Sequence, residues 1–135
     1  MEELRRNRRL TSAHKQLSTV QATRIGEIHT AIAACDQARE RAMGKIEMFG
    51  NSQLFNPSSI SRALRDLSDK RVKLEKDLAA AELEQAKLEI IIERLRETQL
   101  ELEQVAFEEE MAESIEEWTN RDLGDVEIPR RNARR

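Results

Sequence analysis

ISRALRDLSDKRVKLEKDLAAAELEQAKLEIIIERLRETQLEL, residues 60–102, is the stretch that decides the fold. Leu67, Leu74, Ala81, Leu88, Leu95 and Leu102 follow one another at seven-residue spacing, and Leu64, Leu78 and Ile92 fill the position between. An apolar period of 3.5 residues marks a long helix supercoiled left-handedly along another helix. The small mismatch with 3.6 residues per turn is what keeps the seam facing its partner. A chain built this way has little concave surface for chemistry, so its function is to be sought in contact.

Composition points the same way. Of 135 residues, 36% are charged and 3% aromatic, with no Tyr, one Trp and three Phe. That excludes a thick globular core and matches the usage of long helices. The net charge of −3 is the remainder of 26 acids and 23 bases, so no global attraction to nucleic acid follows. Cys35 is alone, which rules out an internal disulfide and fits a reducing compartment. The opening Met1-Glu2-Glu3-Leu4-Arg5-Arg6 lacks the apolar run of a secretory signal. The longest aliphatic run, Ile90 to Ile92, is too short to span a bilayer. The expectation is a soluble, cytoplasmic protein with no membrane insertion.

Upstream, no proline interrupts residues 2–48, and Ile25, Ile28, Ile32, Cys35, Ala42, Ile46 and Phe49 keep a 3-4 rhythm if Arg39 is admitted to the seam. Leu10, Ala13, Leu17 and Val20 keep one too, but out of phase. Joining the two through Gln21 requires a stutter, which locally unwinds a supercoil. Gly26 and Gly44 each weaken this first helix by ~1 kcal/mol relative to alanine. Between Phe49 and Ser59 the pattern stops, and Gly50-Asn51-Ser52-Gln53 and Asn56-Pro57-Ser58-Ser59 read as turn and cap: Asn56 suits an N-cap and Pro57 the first helical position. Gly124 and Pro129 give a stop for the second helix near Asp122.

The fold class expected is therefore all-α: two long helices in an antiparallel coiled-coil hairpin with no globular core. Its parts are a hairpin over residues 2–121 (first helix about 2–48, bend 49–57, second helix about 58–122) and a flexible basic tail at 123–135. Helices of these lengths would measure roughly 70 and 95 Å. With the bend centred on residues 54 and 55, residue n faces roughly residue 109 − n in such a hairpin. Arg5, Arg6, Arg8 and Arg9 then land beside Glu97, Glu101 and Glu103, an attractive pairing that helps to set register. The competing structure, a parallel dimer through the same leucines, would set Arg71 against Arg71.

No catalytic arrangement emerges. His14 and His29 stand fifteen residues apart with no Glu-x-x-His, and two His with one Cys give no metal spacing. Four scattered glycines make no phosphate loop. Cys35 on the seam reads as a small core residue rather than a nucleophile. The chain is expected not to be an enzyme and to need no cofactor.

Three surface features remain. Beyond Leu102 the apolar stripe moves around the helix to Leu100, Phe107, Met111, Ile115 and Trp118, past the reach of the first helix. Its other side carries Glu101, Glu103, Glu108, Glu109, Glu110, Glu113, Glu116 and Glu117, with no Lys or Arg in 101–117. Trp at a projecting helix end makes a good interface anchor, although packing on the first turns of the first helix or on another helix would also account for it. At the bend, Leu54, Phe55 and Ile60 either plug the hairpin or meet a partner. Of the terminal arginines, Arg5, Arg6, Arg8 and Arg9 are expected to pair with the acidic helix, and Arg130, Arg131, Arg134 and Arg135 either pair with it or reach outward. The aromatic interleaving of single-strand binders is missing, which argues against nucleic acid.

The hairpin, the basic opening Arg5-Arg6-Asn7-Arg8-Arg9 and the glutamate-rich ELEQVAFEEE at 101–110 resemble the FliJ/YscO family, the coiled-coil stalk proteins of flagellar and virulence type III export. The likeness covers roughly residues 2–121; the Asp125-Val126-Glu127-Ile128-Pro129 tail has no place in it. The resemblance implies a stalk whose open end enters the hexameric export ATPase and promotes ring assembly and hydrolysis, peripheral to a membrane-bound export apparatus. It also implies export-gate and secretion-chaperone partners elsewhere on the chain. Carried onto this sequence, the ATPase contacts would be Arg5, Arg6, Arg8, Arg9, Glu108, Glu109, Met111, Ile115 and Trp118. The gate contacts would be Leu54, Phe55, Ile60 and Leu64. Two other classes stay open: a homodimeric coiled-coil scaffold of an unrelated assembly, and a nucleic-acid or membrane-surface accessory using the terminal arginines.

Overall fold

The computed structural model describes the backbone of residues 1–53 and 55–134 and the side chains as far as Asp122, Leu54 excepted. It is an all-α helical hairpin. Helix α1 runs Glu2–Phe49 and helix α2 runs Pro57–Arg134, and no strand occurs among the described residues. Glu2 and Glu3 place negative charge in the first turn of α1, where the helix dipole favours it.

The bend forms as its residues dictate. Asn56 Oδ1 accepts from the main-chain N–H groups of Ser58 and Ser59 at 3.1 and 3.4 Å, and Pro57 opens α2 where a missing N–H costs no bond. At the other end, the Gly50 N–H donates to the Ile46 carbonyl at 2.9 Å. A Cβ on Gly50 would stand 2.5 Å from that same oxygen, so the close approach excludes any larger residue without a backbone shift.

The helical segments form two compact units, Met1–Ser12 with Glu93–Arg135, and Ala13–Ile92. Within Ala13–Ile92, Ile28, Cys35 and Ala81 are buried. Ile25, Ile32, Ile46, Ile60, Leu64, Leu67, Leu74, Leu78, Leu88 and Ile92 are half-buried along the two facing seams. Arg71 occupies a seam position of α2 but sends its guanidinium to the edge, where Nη1 donates to Asp36 Oδ1 of α1 and Nε to Glu75 Oε1 at 3.0 Å. Within the other unit, Leu4, Asn7 and Thr11 are buried and Leu95, Gln99 and Leu102 half-buried.

The start of α1 departs from the expectation. No stutter occurs. The heptad of Ile25 and Ile28 continues back through Gln21, Ser18, His14, Thr11, Asn7 and Leu4, which are buried or half-buried, while Leu10, Leu17 and Val20 are exposed. Keeping phase spares the helix a local change of winding, and the polar residues that result are mostly provided for. Asn7 Nδ2 donates to the Leu95 carbonyl at 2.9 Å, Thr11 Oγ1 to the Asn7 carbonyl at 2.8 Å, and Gln85 Nε2 to Ser18 Oγ at 2.9 Å. A Thr hydroxyl turned onto the carbonyl one turn back needs nothing from across the interface. Only Gln21 Oε1 and Gln85 Oε1 are buried without a partner among the described side chains.

Register also shifts, by about three residues from the one expected of a bend at 54 and 55. The midpoint between Phe49 and Pro57 is Gln53. A hairpin turning there sets Ile46 level with Ile60, Ile32 with Leu74 and Gln21 with Gln85 in one unit, and Thr11 with Leu95 and Leu4 with Leu102 in the other. The cross-helix bonds Asn7–Leu95, Ser18–Gln85 and Asp36–Arg71 straddle these levels.

Two further expectations change. Of Arg5, Arg6, Arg8 and Arg9, Arg8 is the one that forms an ion pair among the described residues, its Nη2 lying 3.6 Å from Glu103 Oε1. The other three stand exposed. Helix α2 does not end near Asp122 but is helical to Arg134. Gly124 costs a helix ~1 kcal/mol and Pro129 ~3 kcal/mol, which disfavours a helix without forbidding one. The side chains of 123–135, on which the basic tail was placed, lie outside the described residues.

Candidate functional site

Within the unit built by Met1–Ser12 and Glu93–Arg135, α2 outruns α1. Leu4 is level with Leu102, so beyond about residue 104 no turn of α1 remains alongside α2. Leu102, Glu103 and Ala106 are still half-buried, and every residue from Phe107 to Arg121 is exposed. Trp118 is 63% exposed, and Phe107, Met111 and Ile115 stand comparably open.

Helical spacing arranges this overhang. Leu100, Gln104, Phe107, Met111, Ile115 and Trp118 fall at intervals of three or four and form one stripe. The α1-facing seam of Gln99, Leu102 and Ala106 lies on the far side of the same helix. The stripe is therefore not the coiled-coil seam prolonged past its partner but a second face, already begun at exposed Leu100 where α1 is still present. On one edge lie Glu101 and Glu108; on the other lie Glu103, Glu110 and Glu117.

The nine residues assigned to an ATPase contact all belong to this unit: Arg5, Arg6, Arg8 and Arg9 on the first turns of α1, and Glu108, Glu109, Met111, Ile115 and Trp118 on the overhang. All nine side chains are exposed. Met1, Glu2, Arg5, Arg8 and Arg9 line a shallow hollow at the start of α1.

Of the bend residues, Leu54 lies outside the described residues, and Phe55, Ile60 and Leu64 are half-buried. Phe55 and Ile60 share an open hollow with Lys45, Phe49, Ser52, Asn56 and Ser59. Phe49 is exposed, so the apolar plug at the bend is partial.

Sequence reasoning missed the outward positions of Leu10, Leu17 and Val20, together with Val72, Leu83 and Ile90 on the outer side of α2. The strict continuation of the heptad backward from Ile25 was the signal that would have found the first three. His14 is half-buried in the α1 seam and His29 is exposed. Among the described residues no group of three or more His, Cys, Asp or Glu is placed to hold a metal ion, and no helix is long and apolar enough to cross a membrane. No family model, curated protein or solved structure matches the chain.

Proposed function

We propose that this chain is a non-enzymatic coiled-coil stalk that engages a hexameric export ATPase of the type III kind through its open end, with export-gate or chaperone partners elsewhere on the chain. The observation that carries the reading is the overhang: a helix that continues past its partner with Phe107, Met111, Ile115 and Trp118 exposed. A helix end of this kind supplies an aromatic anchor and an apolar stripe to a partner while needing no pocket of its own. The exposed arginines of α1 place positive charge at the base of the acidic overhang, so one end of the unit offers both signs to the ring. The mechanism would be allosteric. The bound stalk favours one state of each ATPase subunit over another through differential contact, as any effector must.

The test is the hydrolysis rate of the purified export ATPase with the full chain added. Stimulation that Trp118→Ala weakens, and that Arg5→Glu with Arg9→Glu weakens independently, supports the assignment. Stimulation that neither substitution alters places the contact elsewhere; no stimulation at all removes the ATPase from the account. A homodimeric scaffold joined through the leucine seam would first have to open the hairpin, since that seam is occupied within the chain. Helicity that rises with protein concentration is the outcome that reading requires.

A further inference from the structure

The outer stripe of the overhang has a charge pattern that identifies its occupant. Taken as a packing seam, Gln104, Met111 and Trp118 hold one line of it and Leu100 and Phe107 the other, at heptad spacing. The charged flanking positions are then Glu101 and Glu108 on one side, where Ile115 follows them, and Glu103, Glu110 and Glu117 on the other. In coiled coils these flanking positions choose the partner and its orientation by charge. Every one of these five carries the same sign. Only Glu103 is neutralised within the chain by an ion pair among the described residues, through Arg8.

A second copy of the stripe cannot satisfy this pattern. Antiparallel pairing brings Glu110 and Glu117 against the same row of glutamates of the other copy, and parallel pairing, which joins flanking positions five residues apart, sets Glu103 against Glu108 and Glu117 against Asp122. Like charges in such positions repel. We infer that the stripe from Leu100 to Trp118 is the docking face for an amphipathic helix of another protein, with apolar residues at its own seam and Lys or Arg at both flanks. The helix lies on the side of α2 away from α1, and the hairpin stays closed when it binds. Trp118 and Phe107 anchor it, and the glutamate rails select for its charge. This rests on the reading of the overhang as a partner contact and adds the chemistry of the partner to it.

The probe is a pair of synthetic three-heptad peptides with Leu at both seam positions, one with Lys and the other with Glu at the flanks. Each is titrated into the full chain while the fluorescence of Trp118, its one tryptophan, is followed. The Lys peptide should shift the emission to the blue and bind at least ~10-fold more tightly than the Glu peptide, with an affinity that falls as salt is raised. Glu108→Lys, Glu110→Lys and Glu117→Lys together should reverse the preference; these positions are exposed, so unchanged helicity will show that the fold is kept.

Equal binding of both peptides, or binding that leaves Trp118 fluorescence unchanged, overturns the inference. So does a Trp118 emission that is already blue-shifted in the chain alone and depends on its concentration, which would assign the stripe to a second copy. The two functional readings fail separately. ATPase stimulation without Lys-peptide binding sinks the helix-docking inference and leaves the stalk. Lys-peptide binding without stimulation does the opposite.

Discussion

Asn7, buried on the first helix, donates its side-chain amide to the main-chain carbonyl of Leu95 on the second at 2.9 Å. A carboxamide at a seam position is satisfied only where the facing helix presents an acceptor, so it fixes register at some expense of stability. Asn7→Ala should destabilise the hairpin by ~1–2 kcal/mol by denaturant titration, because the donor is lost and a small void remains. Asn7→Leu should raise the thermal midpoint while broadening the interhelical distance distribution. A sharp distribution in that variant would show that register is set elsewhere.

Gln21 and Gln85 stand level with each other, and each has a buried carbonyl oxygen with no partner among the described side chains. An orphaned buried acceptor costs ~1–3 kcal/mol. Gln21→Leu with Gln85→Leu should therefore gain stability despite losing the bond from Gln85 to Ser18. Loss of stability in the double variant would mean that ordered water already satisfies the pair.

The Asp36–Arg71–Glu75 cluster holds a cation at a position where the heptad calls for an apolar residue. All three side chains keep more than a third of their surface in solvent. A double-mutant cycle on Asp36 and Arg71 should return a coupling of about 0.5–1 kcal/mol, weakening in molar salt. A coupling indifferent to salt would contradict the exposed geometry.

The glycines separate by position. A Cβ on Gly26 or Gly44 meets nothing within 4 Å, so Gly26→Ala and Gly44→Ala should each stabilise α1 by ~0.5–1 kcal/mol. Gly50→Ala should destabilise, because its Cβ would press on the Ile46 carbonyl. Thermal unfolding of the three variants checks both signs at once.

The second helix was legible residue by residue from Ile60 to Leu102, because leucine and isoleucine mark its seam directly. The bend was legible too, since Asn56-Pro57 and Gly50 act through local backbone chemistry. The start of the first helix was not. There Leu10, Leu17 and Val20 imitate a seam, whereas the helix keeps the phase set by Ile25 and accepts Asn7, Thr11, Ser18 and Gln21 inside. Hydrophobicity marks a core only where phase is free to follow it. Register was missed by three residues for a simpler reason: the hairpin turns around Gln53, and loop residues carry no pattern that counts them. The overhang stripe was visible as a run of apolar residues displaced from the heptad. Its position opposite the α1-facing side needed the register of Leu4 against Leu102.

The central claim is that the chain folds back on itself within one molecule. It is tested by the distance between spin labels at Ser12→Cys and Glu97→Cys, in a Cys35→Ala background diluted into excess unlabelled protein. Helices packed 8–10 Å apart, with the reach of two labels added, should give a narrow distribution on the order of 10–20 Å. A distribution centred beyond ~40 Å, or a short distance that vanishes on dilution, would contradict the hairpin, because two positions on unpaired helices or on different molecules would then account for the signal.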